Sequence, residues 1–556
     1  MDERSALKKT RDWYEELKRD RRTWEPYWRD VRDYIAPQRG RFLSGNSASE
    51  VNNGDRDDPK KRINGAASRA LNILASGMQS GVTSKARPWF VLSNPDPELN
   101  RYKPVQEWYA EVQEVLLRLF ARSNTYASLL HTYFEMGGFG QGAMAVLEHP
   151  DRAIYCRPFT TGTYYLSSNS RFEIDAFFYV EYKTARQLEQ EYGEEKLPEQ
   201  VKNALNSRRL EERFETVNAI LADPNRIGAK LNGDNTVASV HFLAGAGDYD
   251  GFLRVSGYRS FPVLTPRWDA IDADTYGWAP TRDIMGNVRM LQTMESDCLK
   301  AIAKGATPPM RVPPELERRG LNLQPGALNV VSSMSDQAVA PLYTVNMNVQ
   351  QLQLKIDAVV KDIQEGLYNS LFLALLSTDN PQMTAREVAE RHEEKLLMLG
   401  PVLERIHGEL LDPLIDRAFL LAFEAGLIPP PPAELAEQPT QIEYTSILTQ
   451  AQKAVGVNRI EQSFGFLASL VPLFPEMRYA VKPFQAYRAY NAAIGVDPTI
   501  MPSEEEFDQR VASDQQKQEI AQAAEVGNSM AQSASLLADA DLTNVQQMLG
   551  GGGLAL

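Results

Sequence analysis

The sequence holds two cysteines, Cys156 and Cys298, and five histidines in 556 residues. The cysteines are far apart, with no CxxC pair and no histidine cluster, so two free buried thiols are expected rather than a disulfide or a zinc site. No run of eighteen or more apolar residues occurs, which leaves no candidate for a membrane-spanning helix. The opening MDERSALKKTRDWYEELKRD is charged from its second residue and lacks an apolar signal core, so synthesis in a cytosol is expected. Basic charge is also in deficit: 59 Lys and Arg stand against 73 Asp and Glu, a formal charge of −14. A chain so charged does not grip DNA over its whole surface.

Catalytic motifs are missing too. There is no G-x-x-x-x-G-K-[ST] phosphate loop and no G-x-S-x-G nucleophile elbow. RHEEK (Arg391–Lys395) lacks the second histidine of H-E-x-x-H. MGGFGQGAM (Met136–Met144) lies between a helix and a strand, the reverse of the dinucleotide fingerprint, and its glycines read as close packing or a turn. The chain reads as a non-enzyme, with no cofactor and no metal.

What is present is an ordinary globular composition, 43% apolar and 24% charged, with its acid concentrated late in the chain. Residues 426–556 carry 15 acidic against 7 basic residues, whereas the first forty lean basic. Residues 4–35 give two amphipathic helices, with Trp13, Tyr14 and Leu17 on one stripe and Trp24, Tyr27, Trp28, Val31, Tyr34 and Ile35 on the next. Thr23 is the expected cap of the second; Lys18, Arg19, Arg21 and Arg22 could touch nucleic acid, but a solvated helix face is the favoured reading. A third helix carries Ala66, Ala70, Leu74 and Met78, with Ser76, Gly77 and Gly81 permitting close approach; a fourth covers about 103–122. The pattern turns to β from Ala143 to Thr184 and again over about 236–267, where GDYDG is the expected hairpin turn. A polar, helix-rich insert is expected between them, at 185–222. The fold class is α+β, predominantly α-helical.

The second half reads as helix over 282–305, a Pro-rich module over 306–347, helix over 348–373, and a polar loop at 374–382. A long helix then starts at Thr384, where T-x-x-E supplies a capping box and Met383 and Val388 a hydrophobic staple. It runs to about 425, with kinks expected at Pro401 and Pro413. LIPPPPAEL follows as a linker, then further helices and a Gln/Ala/Glu-rich end.

Several of these pieces carry a resemblance. R-x-x-W-x-x-x-W-x-x-x-x-x-Y-I-A-P (Arg21 to Pro37), ASGMQSGVTSKARPWFVL, YGWAP (Tyr276–Pro280), ATPPM (Ala306–Met310) and MTAREVAERHEEK (Met383–Lys395) are similar, in this order, to the head-to-tail connectors of short-tailed phages, their portal proteins. The resemblance spans about residues 5–425 and is looser after 430. It implies a portal fold assembled as a ring, usually of twelve. The parts would be a wing (1–281), two stem helices (282–305 and 348–373), a clip (306–347), a tunnel loop (374–382), a long wing helix (383–425) and a crown region (426–556).

The same resemblance implies a structural channel at one capsid vertex of the virion, through which double-stranded DNA is packaged and ejected. Ser377, Thr378, Asp379 and Asn380 on the tunnel loop would face the DNA, with Arg289, Lys300 and Lys304 on the stem as further candidates. Arg311, Glu315, Glu317, Arg318 and Arg319 of the clip would dock the large terminase and the tail adaptor or nozzle proteins; capsid and scaffolding proteins are further partners. The chain would be made in the host cytoplasm. A cellular helical scaffold or adaptor and a nucleic-acid hydrolase are the alternatives, and the second would need a metal site that the sequence does not offer.

Overall fold

The N-terminal stripe folds as its periodicity requires. Helix α1 (Glu3–Arg21) buries Ala6, Leu7, Tyr14 and Leu17, and α2 (Glu25–Tyr34) buries Trp28 and Val31 with Pro26 in its first turn. Two local expectations fail here. Thr23 does not cap α2: its hydroxyl donates to the Asp20 carbonyl (3.1 Å), and Trp24 stands at the cap without a side-chain bond. Arg21 is not on a solvated face but buried, donating to the Gly162 and Tyr164 carbonyls (2.9 and 2.8 Å) and pairing with Glu25 (2.9 Å). Its guanidinium also stacks 3.7 Å from the Tyr165 ring centroid. Sequence periodicity marks a polar position but not a partner brought in from a strand 140 residues away.

The computed structural model describes residues 3–41, 62–96, 99–226, 234–245, 251–308, 310–311, 340–341, 349–376, 399–435 and 440–445, with isolated positions besides, mostly late in the chain. It divides into two units, Met1–Val455 and Gly456–Leu556. Of the second, the longest described run is the helical stretch 510–514.

In the first unit, α3 (Ala66–Val82), α4 (Lys103–Arg122) and α5 (Thr125–Phe139) contribute helices to the main core, which Trp28 and Val31 of α2 join. Strand β1 (Phe90–Ser93) follows the Pro88 break. Gly77 on α3 serves the close approach expected of it: a β-carbon there would lie 2.3 Å from the Phe372 ring. Gly140 ends α5 in the left-handed conformation (φ 95°) and accepts a hydrogen bond from the Trp268 amide (2.8 Å), which makes the glycine-rich MGGFGQGAM a packed turn.

The sheets are antiparallel. β2 (Ala143–His149) pairs with β3 (Ala153–Phe159) and with β9 (Val263–Leu264). A five-stranded sheet has the order β4 (Tyr164–Ser168), β5 (Ile174–Thr184), β6 (Arg213–Leu221), β7 (Val237–Leu243), β8 (Arg254–Tyr258). β6 corrects the reading of 185–222 as a helical insert: helix is confined to α6 (Ala185–Tyr192), a 3-10 turn (Glu194–Lys196) and α7 (Glu199–Asn206). RFETVNAIL is rich in β-branched residues and occupies the central strand, where Val217, Ala219 and Leu221 line one face and Ile220 the other. The GDYDG turn, apart from Gly251, lies outside the described residues. Cys156 and Cys298 are both buried and free, as expected.

Beyond the sheet, α8 (Thr281–Ala306) and α9 (Val349–Gly366) appear where helices were expected, bracketing a two-residue pairing of β10 (Met310–Arg311) with β11 (Ala340–Pro341). The second helix does not run unbroken to 373. It stops at Gly366, Tyr368 takes a left-handed φ of 55°, and α10 (Asn369–Leu376) starts in a new direction. The glycine weakens the helix there, and the turn delivers Leu371 and Phe372 into the core against α3. The start of the long helix, with its expected capping box, lies outside the described residues; helical backbone is seen from 399 through α11 (Asp412–Glu424). LIPPPPAEL is no free linker: the Trp108 indole donates to the Pro429 carbonyl (3.0 Å), and Ile428 and Leu435 are buried. The chain then returns as β12 (Gln441–Tyr444) to pair with β1.

Candidate functional site: an anchored helix pair and its supports

Helices α8 and α9 stand side by side because each carries one apolar stripe. Ile284, Val288, Leu291 and Cys298 of α8 are buried, as are Ile356, Val359 and Ile363 of α9. Gly366 at the end of α9 lies against Ile284 at the start of α8, so the pair is antiparallel. Charge on the two helices is balanced, six basic against six acidic residues, in a chain of −14 overall.

The lower end of α8 is held by specific bonds. The Thr281 hydroxyl donates to the Gly138 carbonyl (2.6 Å) and meets the Tyr27 hydroxyl (2.6 Å). Gln292 accepts from the Ile63 and Asn64 amides (2.7 and 2.8 Å) and donates to the Asn64 carbonyl (2.9 Å). Arg282 stacks 3.8 Å from the Trp278 ring centroid. Toward the far end the burial stripe fails: Leu299 is 55% exposed, Ile302 49% and, on α9, Leu354 70%. Ile302 keeps the helical spacing of the buried Ile284 and Leu291 and is nonetheless open. Large apolar side chains left open on a paired, anchored helix are what a contact surface looks like in the isolated subunit.

The candidate site residues fall into two groups. Arg289 is exposed on α8 and ion-pairs with Asp30 of α2; Lys300 pairs with Asp297 one turn away (3.1 Å); Lys304 is exposed in the last turn. Arg311 is exposed on β10. Ser377, Thr378, Asp379 and Asn380 follow directly on α10, and Glu315, Glu317, Arg318 and Arg319 follow β10; all eight lie outside the described residues.

Sequence reasoning missed the groups that brace this pair. The long helix widens at His407–Leu411 into a π turn, in which the Asp412 amide donates to the His407 carbonyl. Pro413 explains it: proline has no N–H for the Glu409 carbonyl, and its ring excludes that carbonyl, so the turn opens by one residue. Three donors of Arg267 then hold the Glu409 carboxylate: its amide (2.8 Å), Nε (3.2 Å) and Nη2 (2.7 Å). Arg267 stands in the loop that leads into α8, so this pair ties the long helix to the root of the helix pair. The only signal in the sequence was Pro413 inside a helical run, read as a kink.

Elsewhere the buried polar groups are structural. Glu135 is fully buried and accepts from the Thr160 hydroxyl (2.7 Å) and the Thr161 amide (2.9 Å); burial raises its pKa above the usual carboxylate value. Burial pushes the Cys156 thiol up to about 11, which leaves it protonated and unreactive at neutral pH. Among the described residues no group of three His, Cys, Asp or Glu is placed to hold a metal ion, and no helix is long and apolar enough to cross a membrane.

Comparisons with known proteins point to one family. The profile of the bacteriophage head to tail connecting protein family matches residues 7–501. The portal protein of Salmonella phage epsilon15 is 37% identical over 528 residues, 94% of each chain. A "Probable portal protein" of Bordetella phage BPP-1 is 36% identical over 495 residues, 87% of each. A chain from the neck of an empty gene transfer agent particle aligns over 77% of this chain and 92% of its own, at 11% identity and a TM-score of 0.36, too distant to bear on the fold. The chain belongs to the bacteriophage head-to-tail connecting protein family.

Proposed function

We propose that this structural portal connector works as one subunit of a closed ring at a capsid vertex, and that double-stranded DNA passes through the ring during packaging and ejection. The observation that carries the reading is 37% identity over 94% of the chain to a phage portal protein. The anchored α8–α9 pair supports it: in a ring, neighbours would cover Leu299, Ile302 and Leu354. In this reading α8 and α9–α10 are the stem, 306–347 the clip, 374–382 the tunnel loop, 383–425 the long wing helix and 426–556 the crown region.

Passage requires weak contact with phosphates, not capture. An acidic chain repels the duplex, while a few polar or basic positions touch it in a salt-dependent way. Ser377, Thr378, Asp379 and Asn380 are assigned to the DNA contact. Of the stem cations, Lys304 is the best candidate, because Arg289 and Lys300 already face Asp30 and Asp297. Arg311, Glu315, Glu317, Arg318 and Arg319 are assigned to docking of the large terminase and the tail adaptor. Rings with a central hole in negative-stain micrographs of the purified chain are the expected result; a homogeneous monomer across salt and protein concentration would sink the reading. For docking, substituting Arg311, Arg318 and Arg319 together should abolish pull-down of terminase and adaptor without dispersing the ring.

A further inference from the structure

A closed ring of identical subunits needs two different surfaces per subunit, one meeting the other on the next copy. The five-stranded sheet supplies two such surfaces, pointing in opposite directions and carrying opposite charge. α1 covers one face: Trp13 and Phe178 pack at 5.2 Å between ring centroids, Tyr14 donates to Glu215 (2.9 Å), and Phe242 and Val217 belong to the same cluster. α6 and α7 cover part of the other face, where the Tyr192 hydroxyl meets His241 Nδ1 (2.7 Å) and Phe214 and Leu243 pack beneath the helices. His241 and Leu243 flank Phe242 on β7, and strand side chains alternate, so the two helical layers lie on opposite faces.

Their charge differs in sign. Residues 3–11 carry four basic residues and one acidic, while residues 189–199 carry five acidic and one basic. Lys8 and Lys9 are exposed on α1, and Glu189, Glu194 and Glu195 are exposed at α6 and just after it. Among the described residues these five form no ion pair, although neighbours on the same elements do, such as Glu191 with Lys183. Charges left open in this way, opposite in sign on opposite faces, suit a head-to-tail contact and suppress a face meeting its own kind.

We propose that the basic start of α1 on one copy of this chain docks on the acidic α6–α7 surface of the next, as one of the contacts that set neighbours side by side. The proposal rests on the ring reading and adds to it which surfaces meet. Each ion pair is weak at a solvated surface, but every contact in the ring repeats it, so assembly senses the sum. High salt weakens the same contact.

The test uses the full chain in two variants, Lys8→Glu with Lys9→Glu, and Glu189→Lys with Glu194→Lys and Glu195→Lys, which turns the surface from net acidic to net basic. All five positions are exposed, so each variant should melt with the wild type. Alone, each faces its neighbour with like charge, and the concentration for half-assembly should rise at least about tenfold by sedimentation. An equal mixture should recover assembly, because alternating subunits restore opposite charges at every contact of an even-numbered ring. Wild-type assembly by either variant alone, or no recovery in the mixture, would overturn the pairing while leaving the ring reading intact. A wild-type chain that forms no rings at all overturns both.

Discussion

Single buried residues carry more of this fold than their charge suggests. Arg21 sits at 1% exposure with two carbonyls, a carboxylate and an aromatic ring around its guanidinium. Arg21→Leu strips the two buried carbonyls of their donor and leaves Glu25 with Arg29 alone, and should cost about 3 kcal/mol in urea unfolding. Arg21→Lys should recover only part, since an ammonium cannot reproduce the planar fork. His241 makes a pH prediction. Burial, with Lys183 and Arg254 nearby, lowers its pKa from 6.5 to about 4, and the carboxylates Glu191 and Glu181 offset this only in part. Between those values the unfolded chain binds the proton and the folded chain does not, so stability falls as pH drops through the window. The loss attributable to His241 is roughly 3 kcal/mol. In His241→Gln, which keeps an acceptor for Tyr192, the unfolding free energy should decline less between pH 6.5 and pH 4. None of these roles was legible in the sequence: a lone arginine or histidine on a stripe does not announce which strand will supply its partner. The two buried thiols were, because isolated cysteines lacking a ligand pattern have few other fates.

At the scale of elements, the apolar stripes were readable and the interruptions were not. Helices at 103–122 and 282–305 follow from period alone and stand at Lys103–Arg122 and Thr281–Ala306. The strand Arg213–Leu221 was missed because its neighbours are polar helices and its pairing is with distant strands. The break at Tyr368 was missed because tertiary packing of Phe372 against Gly77 decides it. That contact predicts a steric cost: Gly77→Ala should destabilise the first unit by about 1–3 kcal/mol, measured by thermal unfolding, with Phe372→Leu in the same chain relieving part of it. The Arg267–Glu409 pair predicts an electrostatic one. Glu409→Gln leaves Arg267, 7% exposed, short of its carboxylate and should cost about 3 kcal/mol. Hydrogen exchange should then rise at both the π turn and the loop before α8; a rise at the π turn alone would separate the two elements.

For the whole molecule, the order of most helices and strands was legible because it is written in punctuation: prolines and glycines between stripes of fixed period. The proposed DNA-facing and docking surfaces rest on the family alone, since polar loop residues have no period. The division after Val455 predicts that a chain ended there keeps the cooperative melting of the first unit, with both β1 and β12 inside it. Loss of that transition would show that the remainder is needed for the fold. The pairing of β1 with β12 also sets a clock on synthesis. Ser93 and Glu443, bonded across the two strands, are 350 positions apart. At roughly 5–20 residues per second a ribosome needs about 20–70 s to make the second partner after the first. For that interval Phe90–Ser93 has no strand partner, and a nascent chain stalled or cut before 441 never supplies one. Truncated products therefore leave the ribosome with a sticky strand exposed, and are marked for aggregation or proteolysis before they can meet a neighbour.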